Sequence, residues 1–183
     1  MPVYLIRHGQ SEFNAAFKHG QPDPMLFDAR LSPKGQTQAD ALRVEVRSLG
    51  IKQVISSPLT RALETALRAF DGLAPINVMD THHEWLTHSC DMGRPPEELA
   101  KDFPSLSFEH LKKHWWHDGP VNDDNVPVEP ETTFHARVSA FDALLAKAET
   151  RPVAIVGHGN YFQELIGFML ENCQIHAYQA GGK

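Results

Sequence analysis

The feature that most constrains this chain is an apolar run, Val3 to Ile6, that stops at Arg7-His8-Gly9. A short apolar run closed by a turn signal reads as a buried strand of a parallel sheet. The glycine permits a tight turn directly after a fixed cation and an imidazole. Open α/β sheets carry their chemistry just past the carboxyl ends of the strands. The stretch from Tyr4 to Asn14 is therefore a strand with a candidate site at its end, and alone it is equally a strand ending in a polar turn.

The same pattern recurs along the chain. Ala15 to Arg30 reads as a loop, with Gly20, Pro22 and Pro24. Ser32-Pro33 gives a helix cap with proline at the first helical position, and Ala39, Leu42, Val46 and Leu49 mark one apolar face before Gly50. A second strand, centred on Val54-Ile55, closes at Ser56-Ser57. Ser57 as cap and Pro58 as first residue then open an amphipathic helix through Phe70. Arg61 falls in its first turn, off the apolar stripe, where the helix dipole disfavours a cation. It reads as a surface arginine or as a cation that joins free backbone N–H groups around one phosphate.

Pro75 to Met79 reads as a third strand, followed by Asp80, His82, His83, Glu84 and Trp85. From 86 to 130 the periodicity weakens. Pro95 to Phe103 is expected as a short helix, Phe108 to Trp116 as a second, and Asp118 to Pro130 as a loop. This stretch has too little apolar content for a core of its own, so it is expected to cover the sheet's carboxyl edge. Phe134 to Ala148 is another amphipathic helix. Pro152 to Val156 is a strand that runs into Gly157-His158-Gly159 and a helix carrying Phe162, Leu165, Ile166, Met169 and Leu170. His158 thus lies at a strand end and beside a helix N-terminus, an anion-binding geometry. Ile175 to Tyr178 is a candidate edge strand.

Right-handed crossovers between parallel strands place Arg7-His8, Arg61, the carboxylates near Glu84, and His158 on one sheet edge. Two arginines and two imidazoles there describe a pocket for a dianion such as a phosphoryl group in transfer. An imidazole can attack phosphorus and a carboxyl group can protonate the leaving oxygen. The candidate acids are Asp80, Glu84 and Asp91, with Glu97 and Glu98 further along. Glu84 is favoured by its place a few residues past the strand and beside Trp85.

Arg7-His8-Gly9-Gln10-Ser11 with Asn14, Ser56 to Ala62 with Thr65-Ala66, and Gly157-His158-Gly159 together resemble the histidine phosphatase superfamily, also called phosphoglycerate mutase-like. The resemblance implies a three-layer α/β/α fold with a mostly parallel central sheet. It implies one domain over 1–183, with an insertion at about 86–130 covering the active-site edge. It also implies a phosphomonoester hydrolase that works through a phosphohistidine on His8. Arg7, Arg61 and His158 would hold the phosphoryl oxygens with Asn14 assisting, and Gln10 is counted with the phosphate- and substrate-binding residues. An acid after the third strand would protonate the leaving group and then activate water. No metal or organic cofactor is implied. Gln10 stands where mutases of this family usually carry glutamate, and the insertion is shorter than in glycolytic mutases, which favours hydrolysis over mutase action. Cys90 to Gly93 and Trp115-Trp116 are similar to a phosphatase-like branch.

Composition bounds the partners. The 183 residues are 42% hydrophobic and 22% charged with a formal net charge of -6, a globular balance without the clustered cations that nucleic acid demands. No apolar run reaches membrane-spanning length, and two cysteines form neither a metal pattern nor a disulfide framework. The expectation is a cytoplasmic protein acting on a small phosphorylated substrate and releasing inorganic phosphate, without nucleic-acid or membrane partners. Three other readings compete with it. One is mutase-type phosphoryl transfer. Another is a metal-dependent hydrolase built on His110, His114 and His117 or on His82, His83 and His88. The third is a non-catalytic phosphate-binding module.

Overall fold

The computed structural model describes residues 2–150 and 152–181. Five strands form one sheet: β1 (Val3–Arg7), β2 (Gln53–Ser56), β3 (Ile76–Val78), β4 (Val153–Gly157) and β5 (Ile175–Tyr178). Their order is β3-β2-β4-β1-β5, parallel except for β5, which runs antiparallel to β1 along one edge.

Alternation along the strands builds the three layers. Val3, Leu5, Ile55, Val153 and Ile155 face one side, where α5 (Glu131–Lys147) and α6 (Gly159–Ile166) bring Phe134, Val138, Phe141, Leu145, Tyr161 and Phe162. Ile6, Val54, Ala154 and Val156 face the other, covered by Leu42 and Val46 of α2 (Pro33–Val46) and by Ala62, Ala66, Ala69 and Phe70 of α3 (Thr60–Phe70). The alanines let α3 lie close on the sheet. The connections leaving β1 and β2 lie on one face and that returning from β3 to β4 on the other. The edge between β1 and β4 is therefore a topological switch point, where such sheets open a crevice.

Several local expectations are corrected. Residues Glu12–Ala16 form a short helix, α1, capped by Ser11, whose hydroxyl accepts from the Asn14 N–H at 3.0 Å. The helix α3 starts at Thr60 rather than Pro58, with no side-chain cap at Leu59; the Ser57 hydroxyl accepts from Leu59 N at 3.4 Å and meets His158 Nε2 at 2.7 Å, while Thr60 N donates to Asp28. The segment from Phe108 to Trp116 is turns and bends, not a helix. Its Phe108, Leu111 and Trp115 join Leu99 of the expected short helix α4 (Pro96–Asp102) and Phe103 just past it in packing on Leu59, Leu63 and Val78. The His110 ring bonds the Val78 carbonyl at 2.8 Å and the Trp115 indole N–H donates to the Arg94 carbonyl at 2.9 Å. The helix α6 stops at Ile166, where Gly167 turns with φ of 86°, so Met169 and Leu170 lie beyond it.

Candidate active site

Four strand ends deliver the site. The register Arg7↔Gly157 sets the ends of β1 and β4 side by side, and the His8 N–H donates to the Gly157 carbonyl at 3.0 Å. The rings of His8 and His158 consequently lie 5.2 Å apart, both buried. Gly9 is needed behind them, since a Cβ there would meet the Gly35 carbonyl oxygen at 2.6 Å. Its N–H donates to Thr65 Oγ1 at 3.1 Å, tying the turn to α3.

His8 Nδ1 lies 2.7 Å from the Gly9 carbonyl oxygen, which can only accept. The hydrogen is therefore on Nδ1, and Nε2 keeps its lone pair. Burial first, then Arg61 and Arg7, push the imidazole well below its ordinary pKa, so it is neutral near pH 7. Arg61 Nε points at that Nε2 from 3.3 Å. Arg61 itself is buried, contrary to the exposed reading. Nη1 donates to the Cys90 carbonyl at 2.6 Å and Nη2 to Asp91 Oδ1 at 2.9 Å, which offsets both burial and the unfavourable helix dipole. Two of its five N–H groups remain unused by these contacts.

Arg7 Nη1 donates to the Leu170 carbonyl at 2.6 Å, while its Nε, buried, has no partner. Its guanidinium passes so near Gly159 that a Cβ there would sit 3.1 Å from Cζ. His158 Nε2 lies 2.7 Å from Ser57 Oγ, and Nδ1 is likewise buried without a partner. Two orphaned nitrogens thus flank His8.

Glu84 is buried just past a 3-10 turn, Asp80–His82, that follows β3. Oε1 accepts from Trp85 N at 2.9 Å and Tyr161 N at 3.0 Å, and Oε2 from Asn160 N at 3.1 Å. Burial and the Asp91 charge raise its pKa to about 7 against the opposing pull of Arg61 and these N–H groups. The helix termini therefore differ from expectation. The first N–H groups of α6 are taken by Glu84, and Thr60 N of α3 donates to Asp28 at 2.7 Å. Side chains, not these N–H groups, are left to meet an anion.

Arg7, His8, Asn14, Arg61 and Glu84 line one cavity of about 160 Å³ together with Ser11, Phe13, Phe17, His88, Cys90, Asp91, Gly159, Asn160 and Met169. His158 is not on this lining; its ring lies 5.2 Å from that of His8, with Nδ1 buried and unpartnered. Asn14 accepts from Ser11 N at 3.2 Å, which completes the α1 cap. Gln10 is the candidate that the structure places elsewhere: its Oε1 accepts from the Ser32 hydroxyl at 2.8 Å, off the cavity lining. Asp80, Glu97 and Glu98 are also off it. The wall of Phe13 and His88, with Met169, is not assigned to the site by the sequence: Phe13 lies on the unexpected short helix α1, and Met169 lies past the end of the helix expected to carry it. Trp85 stacks on Phe134, and Trp115 packs in the core. The histidines of the metal reading are scattered, His82 lying against Phe141 in the core. Among the described residues no three His, Cys, Asp or Glu side chains converge as a metal site. No helix among them is long and apolar enough to cross a membrane.

A doubly wound α/β sheet with a histidine-arginine pocket at its switch point defines the class. The chain belongs to the histidine phosphatase superfamily, branch 1, whose family model matches residues 3–180. It is 32% identical over 172 residues to the probable phosphoglycerate mutase GpmB of Erwinia tasmaniensis, covering 93% of this chain and 75% of that protein. Its fold is similar to a phosphoserine phosphatase from Entamoeba histolytica solved with 3-phosphoglyceric acid, with TM-score 0.62, 22% identity and coverage of 97% and 90%. It is similar too to a mycobacterial glucosyl-3-phosphoglycerate phosphatase, with TM-score 0.59, 22% identity and coverage of 95% and 88%.

Proposed function

We propose that the protein is a cofactor-independent phosphomonoesterase. The observation that carries this reading is the His8 tautomer: a neutral imidazole that carries its hydrogen on Nδ1 and turns an unprotonated Nε2 toward Arg61, set among Arg7, Arg61 and His158. Nε2 attacks phosphorus, the bond from phosphorus to the ester oxygen breaks, and the Glu84 proton goes to that oxygen. Oε2, with one N–H partner against two on Oε1, is the oxygen that carries the proton. The Glu84 carboxylate left behind then takes a proton from water as water attacks the phosphohistidine, giving inorganic phosphate and restoring His8. Arg7 Nε, the unused Arg61 N–H groups and His158 Nδ1, with its hydrogen placed there when Ser57 donates to Nε2, hold the phosphoryl oxygens. Asn14 at the mouth assists.

The 86–130 segment supplies Cys90 and Asp91 to the lining and shares its apolar cluster with α3 and β3, which supports one domain with a covering insertion. A cytoplasmic setting suits the two free cysteines. Mutase action is the second reading, favoured by the Erwinia relative.

Phosphate release from phosphomonoesters should persist in excess chelator, and the protein should label as an acid-labile, base-stable phosphoenzyme. His8→Ala should remove both label and turnover. Activity lost to chelator and restored by zinc or magnesium would overturn the reading. Efficient interconversion of the two monophosphoglycerates, without phosphate release, would decide for the mutase.

A further inference from the structure

The cavity is asymmetric in charge. Among the described residues lining it, Arg7 and Arg61 are the only arginine or lysine side chains, and both are assigned above to the phosphoryl group. Arg94, from the 86–130 segment, is spent on Asp28 at 2.8 Å and Asp102 at 2.9 Å, off the lining. Lys112 and Lys113 are exposed and also off it. The lining carries instead a carboxylate, Asp91, whose Oδ2 is fixed by the N–H groups of Thr87 and His88. Ser11, Asn14 and Asn160 add neutral polar groups, and the remaining part of the wall is aromatic or apolar. Phe13 and Phe17 stack with centroids 5.2 Å apart, and the His88 ring meets both edge-on at 5.6 and 5.0 Å. Met169, 41% exposed, borders the same space.

A leaving group with its own carboxylate would find no cation there beyond the two arginines that face the phosphoryl group, and would lie near Asp91, which is paired with one of them. A flat or apolar leaving group would meet ring faces and a thioether. Resting on the phosphatase reading, we propose that the site selects phosphomonoesters whose leaving group is uncharged and presents an aromatic or apolar face to Phe13, Phe17, His88 and Met169. Phosphoglycerate-type and phosphoserine-type esters are disfavoured.

The test compares 2-phenylethyl phosphate, glycerol 3-phosphate and 3-phosphoglycerate, all alkyl esters, so that leaving-group acidity does not dominate. The expected order in kcat/KM is phenylethyl, glycerol, phosphoglycerate, with about tenfold or more between first and last. Phe17→Ala and, separately, the exposed Met169→Ala should each narrow the phenylethyl-to-glycerol ratio. Phosphoglycerate turned over as well as the phenylethyl ester would overturn the proposal. Release of phosphate from none of the three would instead sink the phosphatase reading itself.

Discussion

At the scale of single residues, the proposed chemistry turns on Glu84, Asp91 and Arg61. With a pKa near 7, Glu84 is protonated below that pH and able to act as an acid, and activity should fall as pH rises through about 7. Asp91 is a like charge that raises this pKa, so Asp91→Asn should move the alkaline limb of the pH profile to lower pH. An unmoved limb would mean that burial alone sets Glu84. Glu84→Gln should slow alkyl esters far more than p-nitrophenyl phosphate, whose leaving group departs with little protonation. Equal slowing would assign the proton to another group. Arg61→Ala should cost about 2–4 kcal/mol of transition-state stabilisation, read from kcat/KM. Lysine should restore only part of it, since it keeps the charge and loses the planar fork. The sequence made Arg7, His8, Arg61 and His158 legible because each follows an apolar run that could only be a strand, or opens a helix after one. It left Gln10 misplaced, because two adjacent residues past a strand point different ways and no pattern says which reaches the cavity.

At the scale of elements, the turn that carries Glu84 is held by α5. Arg137 reaches from that helix to donate to the carbonyls of Thr81 at 3.1 Å and His83 at 2.7 Å, and makes a two-point pair with the buried Glu129 at 3.1 and 2.6 Å. Its guanidinium also lies over the Phe134 and Tyr161 rings at 5.5 and 5.2 Å. Arg137→Leu strands the Glu129 carboxylate and should cost about 3 kcal/mol of stability. In a chain of this size that is a fall in Tm of about 6–12 °C by thermal denaturation. Adding Glu129→Leu should recover part of it, and an unchanged Tm in the single variant would show that the pair contributes nothing. Long helices and buried strands were readable from their periods, whereas the loops were not. Phe108, Leu111 and Trp115 carry helical spacing, but the His110 and Trp115 rings bond distant backbone carbonyls and draw the segment out of a helix. Likewise the first N–H of α3, that of Thr60, goes to Asp28 from a distant loop, a partner that no local pattern announces.

At the scale of the whole molecule, the order β3-β2-β4-β1-β5 means that β1 and β2 do not touch; β4 lies between them and pairs with both. That strand comes from the last part of the chain, so the central pairings are long-range and folding should be slow for the chain's size. Synthesis runs in the opposite sense to this dependence: a chain still emerging from a ribosome has its nucleophile from the outset but no sheet to hold it. The segment 1–148 should accordingly give the narrow amide-proton dispersion of an unfolded chain and no phosphoenzyme, and a well-dispersed spectrum would refute this. Unfinished copies would thus lack the proposed hydrolase activity, and chaperones would meet the protein with the faces of β1 and β2 still bare.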